Sequence, residues 1–204
     1  MAELPSGIPI DSQPFTLNCK ISEKEIRAKI DCELPYVTVQ RGCQDSPTGT
    51  RCWSLGQYED FIAKFKEDFP RVKLVQLGAG NCAEIKGVDV DLRGKTSFEE
   101  LKAVLKFSVF HLDGECGMVH LKHVLGGRSI VLFGSTSRKF KGYAENINIL
   151  SRPCGGSCEW FSKDWQDNCP FSGLEDTGES ACMKAITPAM VLEACHKNFG
   201  QYLC

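Results

Sequence analysis

No apolar run in this sequence is long enough to cross a bilayer; the longest extends over only a few residues. Basic residues are not gathered either. The 24 Lys and Arg are scattered among 26 Asp and Glu, for a net charge of −2, so a nucleic acid or other polyanion has no evident footprint. The first residues, Met1 to Gly7, lack the basic and apolar regions of a signal peptide, and the expected location is the cytoplasm. The closely paired cysteine knuckles of common zinc ribbons are missing too, although cysteine itself is plentiful, at 12 in 204 residues. Chains this long, with 42% hydrophobic residues, bury a substantial core without covalent staples. Most of the cysteines are therefore expected as reduced thiols rather than as a secreted disulfide scaffold.

The informative stretch is 107 to 136. Phe107 to Leu112 and Ser129 to Phe133 are short β-rich runs, and Met118 to Leu125 between them places apolar residues at helical spacing. This reads as a βαβ unit on a parallel sheet. Its ligand end lies beyond the strands, where Glu115 and Gly117 precede the helix and Gly134 to Thr136 follow the second strand. A helix starting at Gly117 offers unpaired N–H groups to an anion.

The rest of the chain extends the alternation. Residues 1–34, with Pro5, Pro9 and Pro14 and a charged Ile21 to Ile30 segment that reads as a short helix, form an expected linker or docking arm. Tyr36 to Val39 is the first strand; Ser54 and Gln57 form a capping box for a helix to about residue 68; Val72 to Leu77 is the second strand. Thr96 and Glu99 suggest another capping box before a helix carrying Phe98, Leu101, Val104 and Leu105. Ile147 to Leu150 is the last strand, and Thr187-Pro188 opens a closing helix to about Phe199. Residues 35–150 thus form a Rossmann-like domain, and 151–204 a cysteine-rich subdomain whose long segment from Ser151 to Ala181 must be functional or held by something. Cys154, Cys158, Cys169 and Cys182, separated by three, ten and twelve residues, are candidate ligands of one tetrahedral zinc or iron site, with free thiols or a disulfide as the alternative.

Arg51-Cys52-Trp53, Gln76-Leu77-Gly78, Glu115-Cys116-Gly117-Met118-Val119-His120-Leu121, Val131 to Thr136 and Cys182 to Pro188, in that order, resemble the C-terminal half of glycosyltransferase family 9. These are the ADP-heptose:lipopolysaccharide heptosyltransferases and their relatives. The resemblance implies a GT-B fold, two facing Rossmann-like domains, of which only the donor-binding second is seen. It implies a nucleotide-diphosphate sugar donor, ADP-heptose favoured, and a glycan or protein acceptor.

By the same resemblance, Arg51 approaches the donor diphosphate, where the family usually carries Lys. Glu115, in place of the commoner Asp, accepts from donor hydroxyls. Gly117, Met118 and His120 lie near the diphosphate, Glu84 near the ribose, and Gly134 and Thr136 complete the donor set. Relatives with an iron-binding cysteine finger agree with the Cys154, Cys158, Cys169 and Cys182 site. No catalytic metal is implied. The acceptor's base belongs to the family's other domain, which would have to come from an N-terminal partner chain or from a homo-oligomer; Asp45 or Glu84 would serve only if this chain transferred sugar by itself.

Each residue has a plainer alternative. Glu115 can cap the following helix, His120 can be a packed histidine, and Gly117 can allow a tight turn. Arg51 can stack on Trp53, and Asp113 can be a turn former. At the level of the chain, the alternatives to an enzyme are a noncatalytic nucleotide-sugar-binding module and a metal-stapled interaction protein.

Overall fold

The computed structural model describes residues 16–42, 50–155, 158–160, 162–169 and 179–203. Six strands run in order β1 (Tyr36–Val39), β2 (Lys73–Gln76), β3 (Val90–Asp91), β4 (His111–Gly114), β5 (Ser129–Phe133) and β6 (Ile147–Leu150). Every pairing is parallel, and the spatial order is β3-β2-β1-β4-β5-β6. The chain steps outward from β1 to one edge, then crosses back to β4 and continues to the other. That reversal leaves a crevice beyond the carboxyl ends of β1 and β4, where open α/β sheets bind ligands.

Helices cover both faces. Strand alternation turns Val37 and Val39 toward one layer, where α2 (Leu55–Asp68) and α7 (Pro188–Leu203) bury Phe61, Ile62, Phe65, Val191, Cys195 and Phe199 against Leu74, Phe110, Leu112 and Leu132. Tyr36, Val75 and Leu77 face the opposite layer. There they meet α1 (Glu23–Lys29) and α3 (Phe98–Phe107), and α4 (Gly117–Val124) sits alongside over Val131 and Phe133; α5 (Arg138–Lys141) and α6 (Ala181–Lys184) are single turns in the connections.

The short α1 is part of this body. Ser22 and Glu25 close a full capping box, and Ile26 and Ile30 are buried with Ala103, Val104 and Leu105. The described part of the expected 1–34 arm is therefore packed into the domain, because its two isoleucines complete the second layer. Pro5, Pro9 and Pro14 lie outside the described residues.

Three local expectations shift. The box before α3 is Ser97 with Glu100, one residue later than Thr96 and Glu99. Phe107 belongs to α3 rather than to a strand, and β4 begins only at His111, because Ser108 turns the chain with its hydroxyl donating to Leu105 O at 2.8 Å. Ser54 does cap α2, but Gln57 does not reciprocate. Its amide donates to Ile186 O and Lys184 O, and the Ser54 N–H goes to Glu179 instead. Thr187 opens α7 as the sequence suggests, accepting from Met190 N at 3.3 Å. The two-residue β3 has no counterpart in the sequence reading. Among the described residues, no helix is long and apolar enough to cross a membrane.

Candidate functional site

At the carboxyl end of β1 the chain passes through residues 43–49, outside the described set, and re-enters at Thr50 and Arg51. Those two residues lie directly across the ends of β4 and β5. A Cβ on Gly114 would sit 2.7 Å from Arg51 O, and one on Gly134 would sit 2.3 Å from Thr50 O. Two glycines thus let the loop press onto the sheet, and the loop delivers Arg51 to the crevice.

There the guanidinium of Arg51 comes within 3.5 Å of Glu115 Oε2, and His120 Nε2 lies 3.6 Å from Glu115 Oε1. Glu115 is buried, which favours keeping it paired, yet both contacts are long and therefore weak, and so are readily exchanged for contacts to a polar ligand. Arg51 Nε has no hydrogen-bond partner and is buried, a donor of a cationic group left to be satisfied. Next to this trio Gly117, first residue of α4, is exposed, and a Cβ there would meet nothing within 4 Å. The first turn of α4 is therefore open to the cleft at Gly117, while the Met118 and Val119 amides turn toward the Cys116 sulfur. An open cleft of about 520 Å³ runs from Gln40 at the end of β1 past Cys116, Gly117, Met118 and His120 to Phe98 and Leu101 on α3. That is the size of a small-molecule site.

The structure thus brings Arg51, Glu115, Gly117, Met118 and His120 together at the sheet's reversal point. It does not bring Glu84 to them. Glu84 is exposed and pairs with Arg93 at 3.3 Å, beyond the end of β2 on the far side of β1. Gly134 and Thr136 are buried, Gly134 under Thr50 and Met183, and Thr136 with its carbonyl accepting from Arg152. Asp45 lies outside the described residues.

Several residues of the site have no signal in the sequence. The ring under the Arg51 guanidinium is that of Trp165, 5.5 Å from its centroid, and not Trp53, which is fully buried and edge-on to Tyr58. Tyr143 holds His120 by a 2.9 Å contact from its hydroxyl to Nδ1 and stacks on His123. Both partners come from loops with no periodic pattern. Asp113 is no exposed turn former: it is buried, accepts from Gly114 N at 2.7 Å and takes the Cys116 thiol proton at 2.8 Å. Burial, with the Asp113 charge behind it, pushes the Cys116 thiol well above the usual range.

The ten described cysteines are in no disulfide. Cys158, Cys169 and Cys182 are buried and Cys154 is exposed. They share one neighbourhood. Burial raises the Cys158 thiol, and the charges of Cys154, Cys169 and Cys182 raise it further. Among the described residues, however, the one group of three or more ligand-type side chains closing to within 4.8 Å is His111, Asp113 and Cys116.

The sequence model of glycosyltransferase family 9 (heptosyltransferase) matches residues 13–165. No curated protein matches the chain by sequence. Among solved structures, the chain is similar to the ADP-heptose lipopolysaccharide heptosyltransferase II of E. coli, at a TM-score of 0.67 and 15% identity, over 93% of this chain and 54% of that one. A family 9 glycosyltransferase from Veillonella parvula gives 0.66 and 14%, over 94% and 53%. The iron-containing dodecameric glycosyltransferase TibC of enterotoxigenic E. coli gives 0.65 and 17%, over 80% and 44%. At these identities the likeness is one of fold. The chain spans about half the length of each.

Proposed function

The chain belongs to glycosyltransferase family 9 (heptosyltransferase), with the fold of the C-terminal half of its GT-B members, and from that premise we propose that it binds the nucleoside diphosphate of a nucleotide-sugar donor, ADP-heptose, between Arg51 and the first turn of α4. The observation that carries this reading is the Arg51–Glu115–His120 group beside the exposed start of α4 at Gly117, at the point where the strand order reverses. The diphosphate accepts from Arg51 and from the Gly117 and Met118 N–H groups, while Glu115 accepts from hydroxyls of the donor. As the glycosidic bond breaks, negative charge grows on the leaving diphosphate, and these fixed donors stabilise it.

Transfer also needs a base beside the acceptor hydroxyl and a second wall that excludes water. Both are assigned to a facing domain, supplied by a partner chain or by the remainder of a longer protein. The chain by itself is then a donor-binding half, and a noncatalytic nucleotide-sugar module is the second reading, favoured by its half-length match to the solved enzymes. The acceptor is a glycan, as in lipopolysaccharide assembly, or a protein.

Cys154, Cys158, Cys169 and Cys182 fit a structural zinc or iron ion in their chemistry, four thiols gathered around buried Cys158. Such an ion would order the segment that carries Trp165. Binding has to draw the sulfurs closer than they stand, and loss of one metal equivalent in Cys158→Ser is the expected signature.

Calorimetric titration with ADP, UDP, GDP and ADP-heptose tests the main reading. Binding of the adenine series, with no multiple-turnover transfer to lipid A core or protein acceptors by the isolated chain, is the expected result. Failure to bind any of the four would overturn donor binding; steady turnover would overturn the need for a second half.

A further inference from the structure

Beneath the donor crevice the end of β4 carries a buried arrangement that the proposed chemistry does not use. His111 is fully buried, and its two ring nitrogens are in different situations. Nδ1 lies 3.0 Å from the Thr38 hydroxyl, whose own proton has Phe110 O and Ser108 Oγ as acceptors at 3.4 Å. The Thr38 hydroxyl can donate to Nδ1 or accept from Nδ1–H, so the tautomer of the ring follows from what Nε2 meets. Nε2 has no hydrogen-bond partner, is sealed from solvent, and faces Asp113 Oδ2 at 3.4 Å. A buried ring nitrogen without a hydrogen bond, 3.4 Å from a carboxylate oxygen, leaves bonding capacity unused. A cation between the two takes it up.

We propose that His111 Nε2, Asp113 Oδ2 and Cys116 Sγ form a binding site for one divalent metal ion of the zinc class. The three ligand atoms lie within 4.8 Å of one another. Around a tetrahedral zinc, with bonds of roughly 2.0–2.3 Å, neighbouring ligand atoms stand about 3.3–3.7 Å apart. The His111–Asp113 separation of 3.4 Å already meets this spacing. The Cys116–Asp113 pair, at 2.8 Å, opens slightly when the thiol proton between them is released to solvent and the sulfur turns to the metal. One nitrogen, one oxygen and one sulfur suit zinc or cobalt better than the hard ions magnesium and calcium. Thr38 supplies the outer hydrogen bond that fixes the histidine tautomer in metal sites. Asp113 and the Cys116 thiolate together balance a charge of two. Cys116 also lines the cleft, so the fourth position is reached from the side where ligand enters.

The test uses the full chain, stripped with a chelator under reducing conditions and titrated with Co²⁺ followed by Zn²⁺ in competition with a chromophoric chelator. Wild type should bind one more equivalent of cobalt than Cys116→Ala, and the difference spectrum should show tetrahedral visible bands with charge transfer from a single thiolate. The difference measurement holds whether or not the cysteine segment also takes metal. Thr38→Val should keep the spectrum and weaken binding by about 10–100-fold, as loss of an outer-shell partner does. Because His111 is buried and its variants can misfold, partly exposed Cys116 and the isosteric change at buried Thr38 carry the test. Equal cobalt binding by wild type and Cys116→Ala, or a difference spectrum without thiolate character, would overturn the site.

Discussion

Glu115 and Trp165 both reach the guanidinium of Arg51, but they are held there by different material. Glu115 stands between β4 and α4, anchored by the parallel ladder to β5 and by Val119, Val131 and Phe133 beneath. Trp165 belongs to a run without strand or long helix, whose described ties to the sheet are a few single bonds: Glu159 N to Ser135 O, Glu159 Oε1 from Ser137 N, and Thr50 Oγ1 to Gln166 O. One wall of the site is an integral part of the core. The other is a strap laid across it, the kind of region that opens locally at low cost. The group around Arg51 thus has fixed partners on one side and, on the other, a ring held by few described bonds.

Trp53 fastens the body to the turn before α7, and the largest effect should come from removing it. Its ring is fully buried among Tyr58 and Phe61, and its Nε1–H donates to Ile186 O at 2.7 Å, tying the body to the turn between Cys182 and α7. Trp53→Ala is expected to cost about 3–5 kcal/mol in urea unfolding, and Trp53→Phe only about 1 kcal/mol, because Gln57 still donates to the same carbonyl. Equal losses in the two variants would mean that the hydrogen bond, and not the ring's volume, joins that turn to the body.

Arg51 lies between the two walls and separates them next. Arg51→Ala should weaken ADP binding by about 1.5–3 kcal/mol, the range for a charge-assisted contact. Trp165→Ala, which removes only the ring under the guanidinium, should weaken it by about 0.5–1 kcal/mol. Unchanged ADP affinity in Arg51→Ala would remove the arginine from the site. A larger loss for Trp165→Ala than for Arg51→Ala would mean that the strap, and not the charge, organises it.

This division also explains what could be read in the sequence. The sheet strands β1, β2, β5 and β6 and the stripes of α2, α3 and α7 repeat with periods that packing imposes, so their positions follow from residue type. Glu115, Gly117 and His120 sit at a strand-to-helix junction and inherit their place from it. Trp165 and Tyr143 reach the site from irregular backbone, where spacing carries no information about direction. His111 and Asp113 alternate on β4 like any inward pair, and only the fold reveals that both are buried beside Cys116. Gly134 illustrates the converse: its position was legible, but it serves close packing against Thr50 O, a demand that arises only when the loop after β1 folds back.

The last comparison concerns how the rigid wall is held from its far end. Lys122, on the last turn of α4, is 1% exposed, and its ammonium donates to Leu105 O, Ser108 O and Ser108 Oγ at 2.5, 2.7 and 2.9 Å, closing the carboxyl end of α3. Burial lowers its pKa from 10.5 to about 7. The unfolded chain then holds a proton between pH 7 and 10.5 that the folded chain has released, so this group's contribution to stability is complete above 10.5 and is lost as the pH falls to about 7. The slope cannot exceed about 1.4 kcal/mol per pH unit. The three acceptors favour the ammonium, since a neutral amine keeps only two N–H donors for them, and so narrow the pH range over which the slope applies. Measured against Lys122→Met, in which every other titration cancels, wild type should gain stability steadily from pH 7 to 9 and show no relative change from pH 5.5 to 6.5. A constant difference across the whole range would mean that the three acceptors keep the ammonium charged, and that α4 is anchored at this end by a permanent cation.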